Sequence, residues 1–256
     1  MTISFSTASI IQPDKNEKGI VMTIEMIAFD ADDTLWHAEV IFREAEEKFC
    51  EILLPWHDRE MIKRTLFEIE TRNISRYGFG AKSYTFSMIE AALVISEREI
   101  NGKAIEEIMN IGRGMLNAEF ELLPGVKETF DTLLGNYPLM VITKGDLLEQ
   151  TSKIYRSGLA EYFDFIEVLS NKSTQSYRDI FNKLELDPKS FVMVGNSLPS
   201  DIQPILSLGG IGVHIPADTT WAHELMDDFD HSQENFYELE YIRQFPELLT
   251  KLENQI

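Results

Sequence analysis

Closely spaced carboxylates follow the first apolar segment of the chain, in the run FDADDTL at residues 29–35. Asp30 and Asp32 are two residues apart, so their side chains project to the same side wherever the backbone stays extended. Two carboxylates this close repel each other unless a cation or a proton lies between them. The run therefore predicts a site that holds a cation or a proton, and the alternative is a solvated acidic turn or helix cap.

A second polar group follows the apolar segment at residues 139–142. There Thr143 supplies a hydroxyl, and the backbone amides around Lys144 and Gly145 can hold an anion. Threonine is also a favoured helix N-cap, so Thr143 could equally serve the fold without any ligand. On its own, this group favours neither interpretation.

Two more polar groups follow later apolar segments. Lys172 comes just before a predicted helix, where it would neutralise phosphate oxygens or would be an ordinary surface lysine. After residues 191–195, Gly195 permits close backbone approach, and Asp201 offers an oxygen ligand of the kind that Mg²⁺ takes. Helix capping is the alternative role for Asp201.

The elements that must position these groups alternate along the chain. Short apolar segments alternate with helical patterns, which is typical of a parallel sheet covered by helices on both faces. Because ligands bind beyond the carboxyl ends of parallel strands, the polar groups should converge there. We expect an α/β fold with a three-layer, Rossmann-like core and strands at residues 23–29, 139–143, 163–169, 191–195 and 210–214. A last helix, interrupted by Pro246, is expected at 239–252.

The spacing of apolar residues is helical from residue 38 to about residue 116, with no convincing strand. We therefore expect an all-α cap domain, residues 38–117, inserted after the first strand. The catalytic core would comprise residues 23–37 and 118–256. Residues 1–22 have no sustained period and are predicted to be a weakly ordered N-terminal extension.

The composition, 44% apolar and 26% charged over 256 residues, is that of an ordinary globular protein. A formal net charge of −20 without a basic run argues against nucleic acid and anionic membranes as partners. Cys50 is the single cysteine, so an intrachain disulfide is excluded and a reducing compartment is expected. No secretory signal or membrane span is recognised, and we expect a cytoplasmic location.

The four polar groups, taken in order, resemble the four signature motifs of the haloacid dehalogenase superfamily. These are a DxDxT strand end, a Thr or Ser, a Lys, and an acidic loop after a GxS-like turn. The resemblance extends from residue 23 to about residue 216, with the helical cap between the first two motifs. It implies a hydrolase that acts on a small phosphorylated substrate, a phosphomonoester.

The resemblance implies a role for each residue of the first motif. Asp30 would be the nucleophile that forms a phospho-aspartyl intermediate. Asp32 would protonate the leaving alcohol and then take a proton from the attacking water. Thr34 would fix Asp32 by a hydrogen bond.

The later motifs would supply the cofactor and phosphate ligands. The resemblance implies that Mg²⁺ is bound by the carboxylates of Asp30 and Asp201 and the backbone carbonyl of Asp32. Lys172 would hold the transferring phosphoryl oxygens, together with Thr143 and its neighbours Lys144 and Gly145.

The chain departs from the family pattern at one position and differs from true dehalogenases at another. Many family members carry Asp where this chain has Asn196, which keeps an oxygen but removes a charge. Metal binding by Asn196 could therefore be weaker or indirect, through water. True haloacid dehalogenases lack the general acid that Asp32 would provide, so the sequence favours phosphate chemistry over carbon–halogen chemistry.

Alternative functions remain open at this stage. The loop at residues 76–82 combines glycines, aromatics and cations, which makes Arg76 and Lys82 candidates for substrate contact. Lys82 is also the candidate Schiff-base lysine if the substrate is a phosphonate. Hydrolysis of a nucleotide, a dehalogenase-type reaction and a catalytically silent binding protein are further alternatives. The sequence identifies neither the physiological substrate nor the oligomeric state.

Overall fold

A seven-stranded sheet forms the centre of the computed structural model, which describes residues 2–4, 24–217, 221, 224 and 226–255. The strand order is β1-β4-β3-β2-β5-β6-β7, and neighbouring strands are parallel except that β1 is antiparallel to β4. The strands are β1 (Thr2–Ser4), β2 (Met26–Phe29), β3 (Leu139–Lys144), β4 (Phe165–Leu169), β5 (Phe191–Gly195), β6 (Ile211–His214) and β7 (Phe236–Glu238).

The register of the three central strands brings their carboxyl ends together. Phe29 at the end of β2 pairs with Val141 of β3 on one side and with Val194 of β5 on the other. Nearly every residue of these strands is buried, as expected for a parallel sheet covered on both faces. The polar segments that follow them therefore emerge at one edge of the sheet.

Helices cover both faces of the sheet, and one apolar core lies between the sheet and the helices on each face. Phe29 and Phe130 belong to the core on one face, and Tyr177 and Met193 belong to the core on the other. The predicted three-layer α/β core is confirmed. The helices are α5 (Val126–Leu133), α6 (Leu147–Arg156), α7 (Thr174–Leu184), α8 (Gln203–Leu206) and α9 (Phe245–Gln255).

Four helices lie between β2 and α5 and share a third apolar core around Phe49, Met88 and Ile108. We call residues 39–117 the helical insertion. The side chain of Asp58 caps one of its helices, and that of Asn101 caps another. No helix of the described residues is long and apolar enough to cross a membrane. The helices are α1 (Glu39–Leu53), α2 (Arg59–Tyr77), α3 (Ala81–Ile95) and α4 (Gly102–Asn117).

The carboxyl-terminal part of the chain differs from the prediction. Strand β7 was not expected, since three residues are too few to give a clear alternation. Pro246 does not interrupt a helix: it lies in the first turn of α9, where the missing N–H has no intrahelical partner to lose. A short 3₁₀ turn at Ile242–Gln244 precedes it.

The amino-terminal extension is described only at residues 2–4, which form the edge strand β1 against β4. The prediction of weak order for the rest of residues 1–22 falls outside the described residues.

The packing of the core beneath the central strand can be tested by a substitution at Phe130. Its ring is fully buried, 4.7 Å from that of Phe29 and 5.3 Å from that of Phe163 between centroids. We expect Phe130→Ala to lower the free energy of unfolding by about 3–5 kcal/mol in denaturant titrations, because it leaves a cavity. Leu148→Ala, at a side chain that is 71% exposed, should change it by less than about 0.5 kcal/mol. Equal losses in the two variants would contradict this packing.

Candidate active site

One cavity lies at the carboxyl edge of the sheet, between the central strands and the helical insertion. Its walls come from the segments after β2, β3, β4 and β5, from α6, and from helices α1 to α3. Eight of the residues that the sequence suggested line it: Asp30, Asp32, Thr143, Lys144, Gly145, Lys172, Asn196 and Asp201.

A buried ammonium group shared by two carboxylates forms the base of the cavity. Lys172 Nζ donates to Asp201 Oδ1 at 2.6 Å and makes a short contact with Asp30 Oδ1. Burial raises the pKa of Asp30 to about 7, because Lys172 only partly offsets it and Asp201 adds repulsion. Burial disfavours the charged form of Lys172, but the two carboxylates outweigh it and raise the pKa of the lysine. The group is thus held as an ion cluster away from bulk water.

A helical turn after β5 sets the position of Asp201. The π-helical turn Leu198–Ile202 carries Asp201, and its Oδ2 accepts the backbone N–H of Ser197 at 3.1 Å. The carboxylate packs directly against Gly195, where an added Cβ would lie 2.3 Å from Asp201 Oδ2. Glycine is therefore required at position 195 for this placement.

Asp32 is held by partners that the sequence did not predict. Its carboxylate accepts from Trp36 Nε1 at 2.6 Å and from Gln150 Nε2 at 2.9 Å, and it pairs with Lys153 Nζ at 2.9 Å. Burial raises the pKa of Asp32, but the Lys153 ammonium and these hydrogen bonds outweigh burial, so the pKa is lowered. In this arrangement Asp32 is an anion.

The expected hydrogen bond from Thr34 to Asp32 is not formed. The Thr34 hydroxyl instead lies 3.0 Å from Asp30 Oδ2 and 3.1 Å from Asn196 Oδ1. The reason is geometric: Thr34 lies on the buried side of the turn, whereas Asp32 is drawn towards α6. Asn196 thereby orients the first motif through Thr34. His214 Nε2 lies 3.0 Å from the backbone carbonyl oxygen of Asn196.

The groups at the end of β3 line the same cavity. The Thr143 hydroxyl is buried and lies 2.6 Å from Gln150 Nε2. Lys144 Nζ forms an ion pair with Glu224 and lies 3.2 Å from Ser200 Oγ. Gly145 also lines the cavity, with a φ of 141° that favours glycine.

Contacts between the core and the helical insertion close one side of the cavity. The rings of Phe79 and Trp221 meet edge to face, 5.7 Å apart, and Lys144 Nζ lies 4.9 Å from the centre of the Phe79 ring. The Glu149 carboxylate accepts the Ala81 N–H, at the start of α3, with both oxygens at 3.0 and 3.2 Å. Loop 78–80 is thus fixed over the site.

The structure does not bring Arg76 and Lys82 to the cavity. Arg76 is exposed near the end of α2, and Lys82 pairs with Asp146 at 2.7 Å on the outer surface. Neither lines the cavity, so the position of these two side chains gives no support to the predicted substrate contact. Phe79 and the two glycines of this loop line the cavity, whereas its two cations lie outside it.

Gln150 and Lys153 were not predicted as site residues from the sequence. They lie three residues apart on α6, so they share one face of that helix. The signal was present but ambiguous, because Glu149 and Lys153 also have the spacing of an ordinary surface ion pair. Only the packing of α6 against the first motif turns these polar groups towards Asp32.

Oxygen donors for a hard cation lie side by side at the base of the cavity. Among the described residues no group of three or more His, Cys, Asp or Glu is suited to a metal ion. Mg²⁺ does not need such a group, because it is usually bound by one or two carboxylates and several waters. Asp30 and Asp201 are buried, and a single lysine balances only one of their two charges. The donor set therefore fits Mg²⁺.

Carboxylates also line the side of the cavity formed by the helical insertion. Burial, with a smaller contribution from Asp33, raises the pKa of Glu39 to about 7. Burial and the nearby Glu39 raise the pKa of Glu70 to about 7 as well. Glu39 has a long contact, 3.5 Å, with Arg43 Nε, and in the described part of the chain Glu70 has no ion pair or side-chain hydrogen bond.

The fold and the site define the class of protein: a three-layer α/β protein with a Rossmann-like core, a helical insertion after the first core strand and a cavity rich in carboxylates between the two. Residues 24–209 match the family model described as haloacid dehalogenase-like hydrolase. The chain belongs to the haloacid dehalogenase-like hydrolase family, and it is a hydrolase. The family predicted from the four motifs is confirmed.

Similarity to known proteins extends over most of the chain. A haloacid dehalogenase-like family hydrolase from Xanthomonas campestris is 36% identical with a TM-score of 0.82, over 91% of this chain and 93% of that one. Glyceraldehyde 3-phosphate phosphatase from Methanothermobacter thermautotrophicus is 25% identical over 228 residues, 83% of this chain and 92% of the relative. A 2-haloacid dehalogenase from Pseudomonas syringae, 19% identical, shares the fold with a TM-score of 0.60 over 90% and 99% of the two chains.

The partly buried acid Glu70 makes stability depend on pH. Its carboxyl ionises near 4.5 in the unfolded chain and near 7 in the folded one, so the folded chain binds more protons in that window. Stability contributed by Glu70 is therefore lost as the pH rises from the lower value to the higher. Glu70→Gln should raise the unfolding temperature by roughly 2 °C or more at about pH 8, and by less at about pH 5.

Glu68→Gln is the matched control, because Glu68 is exposed on the same helix. The unfolding temperatures of the wild type and both variants are compared by thermal scans at the two pH values. A destabilised Glu70→Gln variant at the higher pH would show that Glu70 has a cationic partner and is not a buried, repelled acid.

Proposed function

We propose that the protein is a Mg²⁺-dependent phosphatase that hydrolyses the phosphomonoester of a small metabolite through a phospho-aspartyl intermediate on Asp30. The observation that carries this proposal is the Lys172 ammonium, which contacts both Asp30 and Asp201 at the base of the cavity. A nucleophile, a fixed cation and oxygen ligands for a metal ion are thus adjacent. Membership of the hydrolase family and the phosphatase among the relatives support the same reaction.

In the first step an Asp30 oxygen attacks phosphorus, and the bond from phosphorus to the leaving oxygen breaks. The carboxylic acid form of Asp32 gives its proton to that oxygen, which leaves as an alcohol. Because Lys153 favours the ionised form of Asp32, the acid form requires a proton taken up from solvent and a side chain that turns away from Lys153. Lys172 and the Thr143 hydroxyl hold the phosphoryl oxygens meanwhile.

In the second step water attacks phosphorus of the acyl phosphate. The Asp32 carboxylate takes one proton from this water, and the bond between Asp30 and phosphorus breaks to release inorganic phosphate. The ion pair with Lys153 at 2.9 Å favours the anionic form that this step needs. One carboxyl group thus serves as acid in the first half-reaction and as base in the second.

Mg²⁺ would be held by the carboxylates of Asp30 and Asp201 and by the backbone carbonyl of Asp32, and it would lower the repulsion between the nucleophile and the phosphate. Asn196 Oδ1 is within hydrogen-bond distance of Thr34, so we infer an indirect role for it. The proposed acid–base residue Asp32 favours this chemistry over the dehalogenase-type reaction. The outward position of Lys82 speaks against the Schiff-base route to phosphonates.

The helical insertion would act as a cap that excludes water and contacts the leaving group. Loop 78–80 and the start of α3 already contact the core through Phe79 and Ala81. The acidic charge of the chain fits a small-molecule substrate rather than nucleic acid.

The nucleophile is tested by replacing its charge at constant size. Asp30→Asn should lower Mg²⁺-dependent hydrolysis of an aryl phosphate by at least about a thousandfold, because an amide cannot attack phosphorus. Asp179→Asn, on the exposed face of α7, should keep wild-type activity. An Asp30→Asn variant with wild-type turnover refutes the assignment, and halide release from a 2-haloacid without any phosphatase activity would favour the dehalogenase alternative.

The proposed role of Asp201 as a metal ligand can be tested by a substitution at Gly195, which leaves Asp201 in place. The methyl group in Gly195→Ala would collide with the Asp201 carboxylate, so the Mg²⁺ concentration for half-maximal activity should rise by about tenfold or more. Gly114→Ala is the control, because nothing lies within 4 Å of the Cβ it would add. A Gly195→Ala enzyme with an unchanged Mg²⁺ requirement would contradict the proposed role of Asp201.

A further inference from the structure

The cavity that would receive the substrate is rich in carboxylates. Among the described residues that line the cavity there are eight carboxylates and three lysines. Each lysine already has a carboxylate partner: Lys144 pairs with Glu224, Lys153 with Asp32, and Lys172 with Asp30 and Asp201. A leaving group with a negative charge would find no cation to meet it and would be repelled.

Two mostly buried side chains that line the cavity carry hydroxyl groups without a hydrogen-bond partner in the described part of the chain. Ser83 and Tyr84 are 5% and 7% exposed, and both line the cavity. Within the described part of the chain neither hydroxyl has a hydrogen-bond partner, and neither is completely shielded from the cavity. Because these hydroxyls are accessible and unpaired, they are free to hydrogen-bond to a polar ligand in place of water.

Aromatic rings complete this wall. Phe42 and Tyr84 meet edge to face with their centres 5.4 Å apart, and both rings line the cavity beside Glu39 and Glu70. Carboxylates next to aromatic faces form a favourable environment for an ammonium group. Burial keeps the pKa of Glu70 at about 7, and a bound cation would favour its charged form.

We propose that this wall, formed by Glu39, Phe42, Glu70, Ser83 and Tyr84, binds a primary ammonium group on the leaving alcohol, so the substrate class is the phosphate esters of amino alcohols. The inference rests on the proposed phosphatase function and makes it more specific. The ammonium donates to Glu70, to Glu39 and to the free hydroxyls, and its charge is balanced by carboxylates that lack a strong partner. Neutral hydroxyalkyl esters make fewer of these contacts, and carboxyalkyl esters are repelled.

The test compares three esters of equal length whose leaving groups differ in charge: 2-aminoethyl phosphate, 2-hydroxyethyl phosphate and phosphoglycolate. Longer pairs of aminoalkyl and hydroxyalkyl phosphates, with glyceraldehyde 3-phosphate as a further neutral ester, test leaving groups of other lengths. We expect kcat/KM for the best aminoalkyl ester to exceed that for its hydroxyalkyl counterpart by about tenfold or more, with phosphoglycolate the poorest substrate. Equal values, or a preference for the neutral or anionic ester, overturn the inference.

Two variants locate the effect. Glu70→Gln and Glu39→Gln should each lower the ratio of the two kcat/KM values by about tenfold, whereas Glu68→Gln, exposed on α2, should leave it unchanged. A ratio that survives both substitutions overturns the assignment of the wall. Calorimetric binding of 2-aminoethyl phosphate and 2-hydroxyethyl phosphate to Asp30→Asn provides a readout without turnover.

The two readouts separate this inference from the proposed function. If every ester is hydrolysed at the same rate, the phosphatase proposal stands and the ammonium site fails. If no ester is hydrolysed but the aminoethyl ester binds more tightly than the hydroxyethyl ester, the phosphatase proposal fails and the ammonium site stands. If there is neither turnover nor selective binding, both fail.

Discussion

The site depends on one buried ammonium group, Lys172, between two buried carboxylates. Removing three charges from water costs several kcal/mol per ion, and the cost is offset only when the geometry of the ion pairs is good. Here that geometry requires Asp30 at the end of β2 and Asp201 after β5 to be brought together by the parallel register of the sheet. The absence of a side chain at Gly195 provides the space. The packing of the core and the charge arrangement of the site therefore constrain each other.

Helix α6 connects this base to the helical insertion. Gln150 and Lys153 of this helix hold Asp32. Glu149 of the same helix accepts the backbone N–H of Ala81, the first residue of α3. Any movement of the insertion relative to the core would disturb the contacts of Glu149, which lies 3.8 Å from Lys153 Nζ. The position of the proposed acid–base group is thus coupled by direct contacts to the closure of the cavity.

The sequence predicted what depends on strand ends and missed what depends on packing between elements. Apolar segments followed by polar residues were enough to place Asp30, Thr143 and Asp201 at one edge, because parallel strands leave no other arrangement. The hydrogen bond expected from Thr34 to Asp32 was wrong, since sequence spacing does not reveal which side of a turn faces α6. The same limit explains why Arg76 and Lys82 were expected in the cavity but lie outside it. The sequence of a loop rich in glycine does not specify which side chains point inward.

The most direct test of the central claim is to trap the intermediate. The enzyme, quenched with acid during turnover of a phosphate ester and Mg²⁺, should carry one phosphoryl group on Asp30, and borohydride reduction should convert that residue into homoserine, detectable by peptide mass spectrometry. Trapping should fail in Asp30→Asn and should give less product when Mg²⁺ is removed. A phosphoryl group found on another residue would contradict the account. So would turnover of an aryl phosphate, whose leaving group needs no general acid, in which no covalent species accumulates even when Asp32→Asn slows hydrolysis of the acyl phosphate.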